Sequence, residues 1–157
     1  MTMTRIFIAL ALLASIGLAG AAQVNEDLSF GPKTRILRAS NTALSVAASG
    51  TTTLLELDVK DIERIYVQIA PTVQALDAFS VQILPHSSGA YSTIASAAAD
   101  FTSPTGLIVG ASGDLTTLAA AATGWFIMDT RGLARVKITA SANVAGAATV
   151  SIYAGGY

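Results

Sequence analysis

The chain has 157 residues, of which 52% are hydrophobic and 12% are charged, and its net charge at pH 7 is −1. Soluble domains usually have about 25% charged residues, so this chain has few long solvated side chains with which to cover its surface. It contains no cysteine, which excludes disulfides, thiol nucleophiles and cysteine-type zinc sites. The lack of a basic tract disfavours nucleic-acid binding.

The first predicted element is an apolar segment near the N-terminus. Arg5 precedes an uncharged run from Ile6 to Ala22, which ends in small residues and is followed by polar ones. A basic start, an apolar centre and an Ala-x-Ala end are typical of a secretory signal peptide, with cleavage expected after Ala21 or Ala22. The run is also at the short limit for a membrane span. Residues 1–22 are therefore either a cleaved signal or a retained anchor or stem.

Residues 23–32 are predicted to form a linker, and residues 33–157 a single β domain. Apolar and polar residues alternate in four segments, as is typical of half-buried antiparallel strands: 64–69, 79–83, 135–139 and 149–153. The predicted core residues share one alternating phase: Ile65, Val67, Ile69, Val81, Ile83, Val136, Ile138, Val150 and Ile152. Further strands are predicted at Ile36–Ala39, Leu44–Ala47, Thr53–Val59, Leu107–Val109 and Trp125–Asp129.

An internal repeat relates two parts of this domain. Residues 58–67 and 129–138 share the pattern Asp, any, basic, any, Ile or Leu, any, Arg, Ile or Val, any, Val or Ile. Each copy follows an apolar strand and leads into another alternating strand, so the predicted unit is strand, corner, strand, hairpin, strand. Two such three-stranded halves facing each other would bury both apolar faces. The sequence therefore predicts an all-β fold, an antiparallel, jelly-roll-like β-sandwich built from two repeated three-stranded units.

The charges of the repeat allow two interpretations. The Asp-x-Lys/Arg-x-Ile/Leu-x-Arg corner could bind an anion or a carboxylate, or Asp58 and Asp129 could pair with the basic residues that follow them and fix the turn between the strands. We favour the structural interpretation, because the pattern occurs twice at equivalent places. Exposed pairs of this kind contribute about 0–1 kcal/mol to stability, so they would fix geometry more than stability.

The sequence shows no recognisable catalytic or metal site. His86 is the sole histidine, whereas a metal site usually needs several converging ligands. A pairing of His86 with Ser87 or Ser88 would lack a nucleophile elbow. Three well-separated carboxylates are predicted to lie in loops and form no evident glycosidase pair: Asp77, Asp100 and Asp114. We therefore predict no enzymatic activity, no catalytic residue, no cofactor and no metal.

The aromatic residues allow a binding role. In the strand that begins at Trp125 and Phe126, one aromatic side chain must face outward, where it could stack on a sugar. We favour a buried Trp125, because an indole in the core is the commoner arrangement. Tyrosines suit half-apolar interfaces, and three are candidates: Tyr91, Tyr153 and Tyr157.

The segment Ser87–Thr123 contains no Lys or Arg and is rich in small residues. Long insertions with so little charge either pack on a neighbouring subunit or form mobile surface loops. The sequence leaves both interpretations open.

The second copy of the repeat carries a resemblance to a known group of proteins. A strand ending in Asp leads into a corner and then to a final Val-x-Ile strand, through Asp129, Gly132, Leu133, Arg135, Val136, Val150 and Ile152. Over about residues 50–155 this pattern resembles the small β-sandwich proteins that decorate or complete bacteriophage virions. The resemblance implies a non-enzymatic virion structural protein, such as a decoration, spike or minor capsid component.

Such a protein would lie at the virion surface as a homo-oligomer and contact other structural proteins, and residues 6–22, if uncleaved, would be its only membrane contact. Two alternatives stay open. The chain could be a secreted bacterial β-sandwich binding module, for example for carbohydrate, released after signal cleavage. It could also be a filament or surface-layer subunit whose apolar N-terminal segment is a buried stem.

Overall fold

The computed structural model describes residues 24–29, 35–48, 50–143 and 146–157, with the backbone alone for residues 24–29 and 35. The strands are β1 (Val24–Ser29), β2 (Arg35–Val46), β3 (Thr52–Asp58), β4 (Arg64–Thr72), β5 (Leu76–Leu84), β6 (Ser92–Ala95), β7 (Ile108–Ala111), β8 (Gly124–Asp129), β9 (Arg135–Ala142) and β10 (Ala148–Gly156); a short helix, α1 (Ala98–Thr102), follows β6. The predicted signal or anchor, residues 1–22, lies outside the described residues. Residues 24–29 of the predicted linker form β1.

The described strands form two antiparallel sheets with a shared core. One sheet has the order β1-β2-β10-β4-β8-β7, and the other has the order β3-β9-β5-β6. All the core residues predicted from the alternating phase are buried between the sheets, where each fully buried Val or Ile contributes about 1.5–3 kcal/mol. The predicted antiparallel β-sandwich is confirmed.

The two copies of the repeat interlock. The first copy supplies β3, β4 and β5, and the second supplies β8, β9 and β10. Strand β9 lies between β3 and β5, while β4 lies between β8 and β10. The predicted hairpins are therefore wrong: β4 and β5 belong to different sheets, as do β9 and β10, because the chain crosses the sandwich at each of these connections. Each half places its middle strand in the sheet of the other half, so neither sheet can form from one copy alone.

The corner between the first two strands of each copy has the same local structure. In both corners the carboxylate that ends the strand accepts a hydrogen bond from the backbone N–H two residues later: Asp58 from Lys60 and Asp129 from Arg131, each at 3.1 Å. Three residues after the carboxylate, the backbone enters the left-handed region, at Asp61 (φ 67°) and Gly132 (φ 80°). Such side-chain turns satisfy backbone groups that the strands leave free.

Two equivalent hydrogen bonds join the corners to each other. The backbone N–H of Val59 donates to the carbonyl of Ala134 at 3.1 Å, and that of Thr130 donates to the carbonyl of Glu63 at 2.9 Å. The buried hydroxyl of Thr130 also donates to the Ile62 carbonyl, at 2.7 Å. These hydrogen bonds therefore hold the two corners together at one end of the sandwich.

The charge-poor segment 87–123 contributes several side chains to this chain's own core, although most of its residues are exposed. It forms β6, α1 and β7 at the edges of the two sheets. Five of its apolar side chains are buried: Ala95, Phe101, Ile108, Leu115 and Leu118. The ring of Phe101 meets that of Phe79 edge-on, with centroids 5.7 Å apart. These buried residues tie the segment to the sandwich, and packing of its exposed residues on a neighbouring subunit stays a prediction.

Most strand boundaries differ from the prediction by one to a few residues, among them those of β2 and β7. The strands predicted at Ile36–Ala39 and Leu44–Ala47 are one strand, β2, which continues through an irregularity in its pairing with β10. Ala43 has a φ of 56° at this irregularity, which is typical of a bulge. Strand β7 begins one residue later than predicted, at Ile108, and extends to Ala111.

Candidate contact face on the six-stranded sheet

The outer surface of the six-stranded sheet carries a group of aromatic side chains. Strand pairing sets Ser40, Tyr153, Gln68 and Trp125 in one row across β2, β10, β4 and β8. Tyr66 and Ile127 are paired in the next row. We call the following set the aromatic face: Tyr66, Gln68, Trp125, Ile127 and Tyr153. Tyr66 is 44% exposed and Tyr153 is 46% exposed, so the face is open to a partner.

Alternation along the strands explains why these residues point outward. Phe126 is completely buried, which turns its neighbour Trp125 to the outer surface. The prediction of a buried Trp125 is therefore wrong. All residues from Trp125 to Met128 are apolar, so hydrophobicity alone does not show the phase of this strand. The outward charge of Asp129 does show it, because residues 125, 127 and 129 share one side of a strand.

The indole of Trp125 is held in place by its neighbours. It stacks on Tyr66 with ring centroids 6.0 Å apart and an interplanar angle of 22°. On its other side it lies over Gly110 of β7, where a Cβ would be 3.7 Å from the indole. The backbone N–H of Trp125 donates to the Ser112 hydroxyl at 2.9 Å. These contacts fix the Trp125 indole before it meets a partner, which reduces the entropy that this side chain loses on binding.

Gln68 lies between Trp125 and Tyr153 in the central row. Its side-chain amide makes no hydrogen bond within the described part of the chain. An amide offers two donor hydrogens and one acceptor oxygen. The centre of the aromatic face thus presents a neutral polar group with unused hydrogen-bonding capacity.

The charges on the outer surface formed by β2, β10, β4 and β8 lie outside its central row, as far as the side chains of these strands are described. Arg64 and Asp129 form the row beyond Tyr66. Arg38 of β2 lies in the same row as Tyr66, separated from it by Gly155 of β10. The central row contains Ser40, Tyr153, Gln68 and Trp125, none of which is charged. Aromatic residues with few charges are the composition found in the buried centres of protein interfaces.

The opposite sheet has a different outer surface. One row across it is polar and contains Glu56, Lys137, Gln82 and Thr93. Tyr91 donates a 2.8 Å hydrogen bond to Glu56, and Arg135 donates to the same carboxylate oxygen at 3.0 Å. The Lys137 ammonium lies 4.2 Å from the centroid of the Tyr91 ring. Its charged groups have partners within the chain, so this cluster holds Tyr91 against the sheet.

The pKa values in this cluster follow from its contacts. The hydrogen bond from Tyr91 lowers the pKa of the Glu56 carboxyl, and Arg135 adds to the effect, although partial burial opposes it. Burial raises the pKa of the Tyr91 phenol, and the neighbouring Glu56 carboxylate raises it further. Both groups are therefore held in their ordinary charge states at neutral pH.

The corner carboxylate Asp129 acts mainly on its own turn. The Arg131 guanidinium donates to both of its oxygens, from Nε at 3.0 and 3.1 Å. These bonds and the backbone N–H of Arg131 lower the pKa of Asp129 from its usual 3.8 to about 2. The structural interpretation of this corner's charges is confirmed. At the other corner, Asp58 accepts the hydrogen bond from the Lys60 backbone.

The remaining polar candidates form local contacts. His86 is exposed, and its Nδ1 lies 2.9 Å from the Ser88 hydroxyl two residues away. Asp100 accepts 2.8 Å hydrogen bonds from the backbone of Ser96 and Ala97 ahead of α1, and these bonds lower the pKa of its carboxyl. Asp114 accepts a 2.8 Å bond from the backbone of Thr116, whose hydroxyl contributes most to lowering the pKa of Asp114. Asp77 lies in β5 and not in a loop as predicted.

The described residues give no sign of a metal site or a membrane span. They contain no group of three or more His, Cys, Asp or Glu side chains placed to hold a metal ion. None of the helices in this part of the chain is long and apolar enough to cross a membrane.

The chain was compared with family models, curated proteins and solved structures. No family model and no curated protein matches the chain. The structure is similar to that of the SPBc2 prophage-derived protein YomS, with a TM-score of 0.44 and 17% sequence identity. The similarity covers 78% of this chain and 96% of YomS.

Proposed function

We propose that the chain is a non-enzymatic structural subunit of a virion, acting as a decoration, spike or minor capsid component through protein–protein contacts. The aromatic face is the observation that carries the proposal. It combines exposed tyrosines with a fixed indole on a surface whose central row is uncharged. Burying such a surface removes apolar area from water at a low cost in desolvated charge. We propose a virion as the assembly because the sequence at the repeat resembles that of phage decoration proteins.

The experiment places a photo-activatable crosslinker at Tyr153, in the aromatic face, and separately at Thr93, which lies on the outer surface of the other sheet. Each variant is produced together with native particles, which are then purified, irradiated and analysed by mass spectrometry. We expect the chain in the particles and crosslinks from position 153 to this chain or another structural protein, with few from position 93. Absence of the chain from every purified particle, or equal crosslinking from both positions, would contradict the proposal.

Carbohydrate binding is a second candidate. The outward Trp125 and the Gln68 amide, which makes no hydrogen bond to the residues that the structure describes, favour it, because a sugar ring can stack on an indole while its hydroxyls bond to an amide. In that case the chain would be a secreted binding module. Titration of neutral polysaccharides while the Trp125 emission is recorded tests this candidate. Calorimetric titration of the wild-type chain and of a Trp125→Phe variant then shows whether the indole carries the binding.

A further inference from the structure

We propose that the partner of the aromatic face is a second copy of this chain, so that two copies pack face to face around a two-fold axis at Gln68. This inference rests on the proposed role of the aromatic face in assembly and names the occupant of that face. Two-fold dimers are the commonest closed oligomers, and their interfaces bring the same surface of each copy together.

The sheet is large enough for such an interface. Strands β4 and β10 each have 9 residues, which span about 30 Å at about 3.4 Å per residue. Five strands from β2 to β7 are about 24 Å wide at a spacing of about 4.8 Å. The resulting footprint of roughly 700 Å² is close to the 800 Å² or so that each partner buries in a standard interface.

The central row is complementary to itself. Trp125 and Tyr153 lie on either side of Gln68. A two-fold axis that runs along this row, across the strands and between the facing sheets of the two copies, sets each residue of the row opposite its counterpart in the other copy, and it sets Arg64 opposite Thr72. The same axis sets the two Gln68 amides opposite each other, where each can donate to the oxygen of its counterpart. The Gln68 amide thereby gains a partner when the surface becomes buried.

The charge distribution also favours a second copy. The central row contains no charge, so it offers nothing to compensate the desolvation of a charged partner. A second copy brings an equally uncharged row. A charged partner would bind this surface weakly, because its charges would lose water without gaining a partner.

The test uses charge substitutions at the axis, measured by sedimentation velocity on the full chain. Gln68→Glu and Gln68→Lys should each weaken self-association at least about tenfold, because each sets like charges face to face. Mixing the two variants should restore a dimer that contains one copy of each. Gln82→Glu is the matched control, since Gln82 is a half-buried outward residue in the middle of the other sheet, and it should leave association unchanged.

Three outcomes would overturn the inference: a monomeric wild-type chain, equal effects of the substitutions at 68 and 82, or no recovery in the mixed sample. A monomer that binds a neutral polysaccharide through Trp125 would assign the surface to carbohydrate instead. The proposed function is tested separately. If the mixed sample fails to dimerise while position 153 still crosslinks to another particle protein, the two-fold contact is wrong and the structural role stands.

Discussion

At the scale of single residues, the two corners offer a matched comparison of backbone strain. Gly132 has a φ of 80°, and a Cβ added there would meet no atom within 4 Å. Gly132→Ala should therefore lower the free energy of unfolding by about 1–2 kcal/mol through the left-handed backbone alone. Asp61 occupies the equivalent position with a φ of 67°, so Asp61→Gly should change stability by less than about 0.5 kcal/mol. Urea unfolding measures both values, and an unchanged stability for Gly132→Ala would contradict the assignment.

The repeat also pairs two core residues. Val67 and Ile138 occupy equivalent positions in the two copies, and both are completely buried. Replacing either by Ala should cost about 1–4 kcal/mol, because the removed methyl groups leave a cavity. Replacing Val73, which is 74% exposed, by Ala is the surface control and should cost less than about 0.5 kcal/mol. Equal costs at Val67 and Val73 in chemical denaturation would show that the core assignment is wrong.

Single residues also show where sequence reasoning succeeds. The alternating phase identifies the buried side of four strands, because a period of two fixes which side chains face inward. It does not identify Tyr66 and Gln68 as members of one surface, although both occupy outward positions of a predicted strand. Tyr66 and Gln68 form this surface only together with Trp125 and Tyr153 of neighbouring strands. A local period does not show which strands are neighbours.

At the scale of elements, the corner after β8 should respond to acid. The pKa of Asp129 in the folded chain is about 2, below its usual 3.8, so the ionised carboxylate stabilises the fold above pH 4 or so. This contribution should be lost as the pH falls from about 4 through 2. Thermal melts across this range should show a smaller loss for Asp129→Asn, in which the amide oxygen still accepts from the backbone of Arg131. An identical acid dependence in both proteins would show that ionised Asp129 does not stabilise the fold.

The arrangement of the strands also shows how much of the fold the repeat can predict. The shared pattern predicts the two corners, and the equivalent turns after Asp58 and Asp129 bear this out. It does not predict that β9 lies between β3 and β5, because two separate halves and two interlocked halves bury the same apolar residues. Phe101, Leu115 and Leu118 were missed for another reason. They lie in a segment without a regular hydrophobic period. Their burial depends on how this segment packs at the edges of the two sheets, which a local pattern does not show.

For the whole molecule, the central claim is that the aromatic face becomes buried when the chain is assembled. The chain has 1 tryptophan, Trp125, and its indole lies in the aromatic face beside Tyr66. Tryptophan emission therefore reports on this surface alone. The most direct test is to record the emission maximum and its quenching by iodide for the dilute full chain and for its assembled form. The account predicts a shift to shorter wavelength and weaker quenching on assembly, whereas unchanged emission and quenching would contradict it.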